Sequence, residues 1–158
     1  MFRNMRRTNQ QVSEEKCIEV LSNGQRAVLS LYGEDGYPYG VPVNYTYDVA
    51  ENTIYIHGAK VGHKIDAIRQ NDKVCFTTWD NGFHKEGDWA WWLKSVIAFG
   101  RAELVSDPEV TLKQVRSLGL KYFPNAEEVE KEIKSSISAV QLIAIHIEHM
   151  TGKLVHER

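Results

Sequence analysis

The residues with the clearest chemical potential lie at positions 55–68, which read YIHGAKVGHKIDAI. The pattern predicts a strand that ends at His57, a turn loosened by two glycines, and a helix that begins near Val61 or Gly62. The unpaired backbone amides at a helix start suit an anion. Basic side chains at the same place add further donors: Lys60, His63 and Lys64. The segment therefore predicts a phosphate site.

The apolar residues of this segment predict which helix face is buried. Val61, Ile65 and Ile68 form one stripe, which leaves His63 and Lys64 to face elsewhere. The segment matches neither a Walker A loop nor the GxGxxG dinucleotide fingerprint. From spacing alone, a phosphate cradle and a solvated basic helix face are equally consistent with the sequence.

The histidines and cysteines favour neither a metal site nor a nucleophilic enzyme. No pair among the six histidines has the spacing of a zincin or a zinc finger, and no cysteine joins them. No GxSxG motif is present. Cys17 and Cys75 are far apart and lie in apolar patterns, so we expect two core thiols in a reducing, cytoplasmic compartment. We expect no metal ion.

Composition excludes several classes of partner. The 158 residues carry a net charge of -2, which argues against a nucleic-acid surface. The only basic cluster, at positions 3–7, is predicted to be a solvated chain start. No stretch is apolar enough for a membrane span, and the first residues lack the apolar core of a signal peptide. We expect one domain over residues 1–158 and no membrane partner.

The elements that must position the basic segment are mostly strands. Alternating or continuous apolar runs predict six of them: 27–32, 39–47, 53–57, 73–79, 95–105 and 139–149. Ser13, Asp107 and Asn125 each begin a predicted helix, and residues 80–88 form a loop. Strands and helices do not alternate regularly, so the pattern favours a mainly β, antiparallel barrel or sandwich with peripheral helices.

Four segments, in the same order and at matching separations, resemble a known family. They are GEDGYPYGVPVNY (33–45), YIHGAKVGHKIDAI (55–68), KSVIAFGRAEL (94–104) and IEHMTGK (147–153). The sequence resembles the pyridoxamine 5′-phosphate oxidase-like flavin-binding proteins, and within them the branch that includes nitroimidazole resistance proteins. The resemblance covers the chain from about Met5 to Lys153. It implies a six-stranded antiparallel split β-barrel with Greek-key connections, and a homodimer with FMN between the subunits.

The resemblance also implies the cofactor-binding residues. Those along the isoalloxazine ring and the ribityl chain would be Val41, Pro42, Val43, Asn44, His57 and Gly58. Those that hold the phosphate would be Lys60, Gly62, His63 and Lys64. Those that reach the flavin from the partner subunit would be Lys94 and Ser95, with residues 151–153 closing the site.

Departures from the family pattern narrow the predicted function. The oxidases proper carry basic residues on the strand that here contains Val41–Thr46, and a tryptophan and an arginine near the C-terminus. Because this sequence has neither set, we do not expect oxidation of vitamin B6. We expect an FMN-dependent oxidoreductase for a small, nitroaromatic substrate. The alternatives are a flavin binder without turnover and a haem-binding barrel with a histidine such as His149 as axial ligand.

A tryptophan cluster near position 90 has two interpretations. Trp89, Trp91 and Trp92 fit either a hydrophobic edge covered in a dimer or an aromatic wall beside a flat substrate.

Overall fold

The structure, a computed structural model that describes residues 1–156, contains eight β-strands and four α-helices. The strands are β1 (Ala27–Tyr32), β2 (Pro38–Val43), β3 (Thr46–Asp48), β4 (Thr53–Ala59), β5 (Lys73–Trp79), β6 (Phe83–His84), β7 (Trp91–Val105) and β8 (Val140–Val155). The helices are α1 (Glu14–Asn23), α2 (His63–Gln70), α3 (Pro108–Tyr122) and α4 (Ala126–Ser136). Short 3-10 turns lie at Thr8–Gln10 and Ile137–Ala139.

The strands form one antiparallel sheet in the order β2-β1-β5-β7-β8-β4-β3, with the two-residue β6 paired to β7. β1 pairs with the distant β5, and β4 with the distant β8, so the sheet rests on long-range pairings. The strands at its two ends, β2 and β3, are consecutive in the chain, and the sheet therefore curls back on itself. The prediction of a mainly β, antiparallel fold is confirmed.

The strand predicted over residues 39–47 is divided in two, at a corner formed by Asn44 and Tyr45. The backbone of Tyr45 is hydrogen-bonded by α3 and not by a strand: its amide donates to the Tyr122 hydroxyl at 3.1 Å. Its carbonyl accepts from Lys121 Nζ at 2.9 Å. The Tyr45 ring is fully buried, and its hydroxyl donates to the carbonyl of Leu21 at 2.8 Å. The hydrogen bonds to α3 satisfy the Tyr45 backbone groups that, in a continuous strand, would have paired with a neighbouring strand.

Other predicted elements also have different limits in the structure. The strand predicted to end at His57 continues to Ala59. The loop predicted over residues 80–88 contains β6, and β7 begins at Trp91 instead of residue 95. β8 continues through the expected polar tail, because residues 150–155 pair with residues 93–98 of β7 without a break. The ladder accommodates its length with an irregularity at Phe99 and Gly100.

Helices α1, α3 and α4 begin where the sequence predicts, whereas α2 begins at His63, just after the predicted start at Val61 or Gly62. Each helix buries an apolar face. The side chain of Ser13 accepts from Lys16 N, that of Asp107 from Glu109 N, and that of Asn125 from Glu127 N and Glu128 N. Such caps satisfy amides that have no partner within the helix. The main core lies between the inner sheet face and helices α1 and α2; its largest fully buried side chains include Tyr45, Phe76, Leu21, Leu29, Ile54 and Ile56.

Candidate functional site

A cavity of about 300 Å³ opens beside the corner of the sheet. We call it the cationic cavity; its lining residues are Arg26, Pro42, Val43, Asn44, His57 and Lys64. β1, β2, β4 and α2 therefore meet at this one place. Two of the lining side chains carry positive charge, and no carboxylate among the described residues lines it. The positive charge of the cavity favours the binding of a negatively charged group.

Lys64 occupies space that Gly58 leaves open. A Cβ atom on Gly58 would lie 3.1 Å from Lys64 Nζ and 3.4 Å from Lys64 Cε. The glycine thus lets the lysine stem run against the backbone of β4 towards the cavity. Burial lowers the pKa of the Lys64 ammonium. A partly desolvated cation without an ion-pair partner in the described chain gains free energy when an anion binds beside it.

The start of α2 adds backbone donors to Lys64. Gly62 precedes the helix with φ of 126°, a conformation that favours glycine. The Gly62 carbonyl accepts from the amides of Ile65 and Asp66 at 2.9 and 3.1 Å. The amides of His63 and Lys64 precede these two and have no acceptor within the helix, so they add to the positive end of the helix dipole.

Arg26 is a member of the cavity that the sequence analysis missed. It directly precedes β1, and β1 pairs with β2 so that Ala27 lies opposite Val43. One step further, the same register places Arg26 opposite Asn44, at the cavity. The connection between the two strands has five residues, 33–37, so counting from the four-residue turn predicted at 33–36 would have placed Arg26 opposite Val43 instead of Asn44.

A second cavity, of about 490 Å³, adjoins the first. Asn44 and His57 line both cavities, so they form the wall between them. Burial, and secondarily the charge of Lys64, lower the pKa of His57 and favour its neutral imidazole. The second cavity is otherwise enclosed by residues of α3 and α4. A neutral, polar side chain thus separates a cationic space from a helix-lined one.

The family model described as pyridoxamine 5′-phosphate oxidase matches residues 13–154, which is most of the chain. The chain belongs to the pyridoxamine 5′-phosphate oxidase family. Among curated proteins, none matches the sequence.

Solved structures with the same fold include three with informative descriptions. A protein of Bacteroides thetaiotaomicron, provisionally named as a 5-nitroimidazole antibiotic resistance protein, has a TM-score of 0.74 at 19% identity over 91% of this chain and 86% of its own. A FAD-binding protein of Mesorhizobium loti has a TM-score of 0.64 at 24% identity, over 93% and 98%. A FAD- and haem-binding protein of Mycobacterium smegmatis has a TM-score of 0.73 at 17% identity, over 94% and 74%.

Several of the residues that the sequence resemblance predicts to bind a flavin do not line the cationic cavity. Lys60 and His63 are exposed in and after the turn, and the His63 ring stacks on Tyr39 with centroids 4.1 Å apart. Val41 packs against the core. Val61, predicted as the first residue of the apolar stripe, precedes the helix and is 76% exposed, whereas Ile65 and Ile68 are buried as predicted.

Lys94 and Ser95 do not line the cationic cavity of their own chain. Ser95 is nevertheless near one cavity residue. It lies opposite Trp79 of β5, and the β1–β5 register, continued one step beyond Ala27 and Thr78, places Trp79 opposite Arg26. Two strand spacings, about 10 Å, separate Ser95 from Arg26. Lys94 is held in place by Asp80, which accepts from its amide at 2.9 Å and from its ammonium at 3.3 Å. The predicted approach of Lys94 and Ser95 to the flavin from a partner subunit stays a prediction.

Within residues 1–156, no three histidine, cysteine or acidic side chains are grouped so that they could hold a metal ion. No helix in the same part of the chain combines the length and apolar character of a membrane span. The tryptophans at 89, 91 and 92 line neither of the two cavities.

Proposed function

We propose that this protein is a flavoprotein that binds FMN in the cationic cavity. The observation that carries the proposal is the position of Lys64: its ammonium lies against Gly58, at the start of α2, in a cavity that also contains Arg26 and contains no carboxylate among the described residues. Family membership supplies the flavin as the anionic ligand. Two structures with the same fold belong to FAD-binding proteins.

The residues present fit the FMN phosphate. Lys64 and Arg26 would donate charge-assisted hydrogen bonds to it, and the free amides of His63 and Lys64 would donate from the helix start. Pro42 cannot use an amide in the ladder and so leaves this edge of β2 open to a ring. Asn44 and His57 offer polar groups to the ribityl chain and the ring edge.

The redox chemistry would come from the cofactor, since a bound flavin accepts and donates hydride or single electrons. The work of the chain is to bind the phosphate, orient the ring along β2 and keep a neutral His57 beside the substrate. This division of labour accounts for a site with no catalytic carboxylate and no triad. We propose an oxidoreductase for a small nitroaromatic substrate, in keeping with the sequence resemblance and the similar Bacteroides thetaiotaomicron structure.

We further propose a homodimer that completes the flavin site. Lys94 and Ser95 on β7 do not line the cationic cavity of their own chain, and the sequence resemblance implies that they reach the flavin from the partner subunit. The ion pair with Asp80 holds Lys94 in a defined position from which it could be presented across an interface.

The deciding experiment is the visible spectrum of the protein as purified, followed by chromatography of the flavin released on denaturation. We expect a flavin spectrum and released FMN. If only FAD is released, the bound flavin is FAD and not FMN. A colourless protein that does not bind added FMN would overturn the proposal. If FMN binds but no nitroaromatic reoxidises the reduced protein faster than oxygen does, the protein is a binder without turnover.

A haem-binding role is the second candidate, and one observation favours it. The Nε2 atom of His149 is buried and has no hydrogen-bond partner within the described chain. However, the Phe2 ring stacks on this imidazole with centroids 4.7 Å apart, so a porphyrin would have to displace it. A Soret band after addition of haem, lost in His149→Ala, would favour this function over the flavin.

A further inference from the structure

The cavity enclosed by α3 and α4 is lined by two kinds of side chain. We call it the helix chamber; its lining residues are Asn44, His57, Val115, Leu118, Gly119, Tyr122, Phe123, Glu128, Val129, Glu132 and Ile133. Its volume of about 490 Å³ is in the range of pockets that hold small molecules. The cationic cavity takes the flavin in the proposed function, so the helix chamber is left without an assigned ligand.

The inner walls of the helix chamber are apolar. Leu118, Val129 and Ile133 are buried there, and Gly119 lets the two helices approach closely, since a Cβ atom on it would lie 2.9 Å from Val129. Phe123 is 65% exposed at the end of α3. An exposed phenylalanine next to a buried apolar wall suits an aromatic or aliphatic ligand.

Two carboxylates stand where the helix chamber meets solvent. Glu128 and Glu132 are one turn apart on α4, line the chamber and are exposed. Glu132 accepts a hydrogen bond from Ser136 at 2.7 Å, and neither carboxylate has an ion-pair partner within residues 1–156. In contrast, Glu130 on the same helix is paired with Arg116. The helix chamber therefore presents negative charge that the protein leaves uncompensated.

The two cavities are opposite in charge and share one wall. Asn44 and His57 face the cations on one side and the apolar, acid-bordered chamber on the other. We infer that the helix chamber binds a small, largely apolar molecule that carries a cationic group, with the apolar part of the molecule beside Asn44 and His57. As a site next to the flavin this rests on the proposed function, because the adjoining cationic cavity would hold the flavin.

The test uses three indole probes of similar shape and different charge: tryptamine as the cation, tryptophol as the neutral compound and indole-3-acetate as the anion. The FMN affinity of the full-length protein is measured first, by quenching of flavin fluorescence. Each probe is then titrated into the protein with and without FMN, and binding is followed by the NMR shifts of chamber methyl groups in Val115, Leu118, Val129 and Ile133.

We expect tryptamine to shift these methyl groups and to bind about fivefold more tightly than tryptophol, with indole-3-acetate weakest. The double variant Glu128→Gln/Glu132→Gln should remove the advantage of tryptamine and leave tryptophol unchanged. The control Glu109→Gln/Glu127→Gln removes the same amount of charge, one carboxylate from α3 and one from α4, at exposed residues outside the chamber, and should retain the preference.

The outcomes separate this inference from the proposed function. FMN binding with no chamber shifts at millimolar tryptamine overturns the inference and leaves the flavoprotein intact. Equal shifts from all three probes, or shifts unaffected by the double variant, overturn the cationic ligand class. If the NMR shifts of the chamber methyl groups change when the protein is diluted and do not change when the probe is added, the chamber is occupied by a second copy of the chain, and the inference is overturned. If tryptamine shifts the chamber methyl groups of a protein that does not bind FMN, the inferred ligand site stands and the proposed flavoprotein function is overturned.

Discussion

The ammonium nitrogen of Lys64 lies 3.1 Å from the position that a Cβ atom on Gly58 would occupy. That separation is shorter than most contacts of real Cβ atoms, so the lysine depends on the glycine for its path to the cationic cavity. Gly58 needs no left-handed backbone conformation. Its role is thus the space it leaves and not its flexibility.

Gly58→Ala should weaken FMN binding with little effect on folding. The added methyl group would push the Lys64 ammonium aside by a few tenths of an ångström, and we expect the dissociation constant to rise about fivefold, as for a partly lost charge-assisted hydrogen bond. Gly40→Ala is the matched control, because its new methyl group would meet only Val28 Cγ1, at 3.4 Å. Equal affinities of the two variants would argue against the contact.

Lys64→Ala should weaken FMN binding by about 1–2 kcal/mol, the contribution of one charge-assisted hydrogen bond. Isothermal titration of the flavin-free protein measures the change directly. Lys113→Ala removes an exposed lysine of α3 outside both cavities and should bind FMN as the unmodified chain does. If Lys64→Ala behaves like this control, Lys64 belongs to a solvated helix face.

Arg26→Gln should weaken FMN binding by a similar amount, although Arg26 belongs to no recognisable sequence motif. Arg26→Lys should restore part of the affinity, because it keeps the charge and loses the planar pair of donors. The same titration provides both values. An arginine that only borders the cavity would give unchanged affinity in both variants.

FMN affinity should fall as the pH rises towards the ordinary pKa range of lysine. Burial lowers the pKa of Lys64 in the free protein, so the ammonium loses its proton below the ordinary lysine range. A bound phosphate favours the charged form, and binding must then take up a proton. Lys64→Arg keeps its charge throughout this range and should remove the pH dependence. A slope that persists in this variant would come from another group.

Lys121 should make folding stability rise with pH. Its ammonium donates to the carbonyl of Tyr45 at 2.9 Å and to that of Gly24 at 2.6 Å, without a carboxylate partner, and burial lowers its pKa to about 8. Between that value and the unfolded value of 10.5, the unfolded chain binds more protons than the folded chain. The free energy of unfolding should therefore increase by about 1–3 kcal/mol from pH 7.5 to 10.

Urea unfolding of the protein and of Lys121→Met over this pH range tests the Lys121 prediction. The methionine keeps an unbranched apolar stem and cannot titrate, so its stability should rise less with pH. Parallel curves for the two proteins would show that Lys121 titrates as an ordinary lysine.

Local patterns predicted those elements whose hydrogen bonds are regular. β5 has the predicted limits, Lys73–Trp79, because its alternation matches a strand with partners on both sides. The predicted strand at 39–47 failed at Tyr45, whose partners lie on α3, 76 and 77 positions further along the chain. The alternation of apolar and polar residues within 39–47 carries no information about partners so far along the chain.

The candidate site was predicted in part for the same reason. Lys64 and His57 stand in one short segment, and the strand-turn-helix pattern brings them together. Arg26 reaches the cationic cavity through the register of a hairpin, and the helix chamber exists only because α3 and α4 pack over Asn44 and His57. Such placements depend on tertiary packing, which spacing along the chain does not encode.

The position of β8 bears on how the chain folds as it leaves the ribosome. β8 lies between β7 and β4 in the sheet, yet it follows both of them in the chain. Until residues 140–155 emerge, β7 and β4 each have a bare edge. The sheet therefore closes only after β8 has been made, and a premature stop before Val140 should give an aggregating product instead of a smaller stable domain.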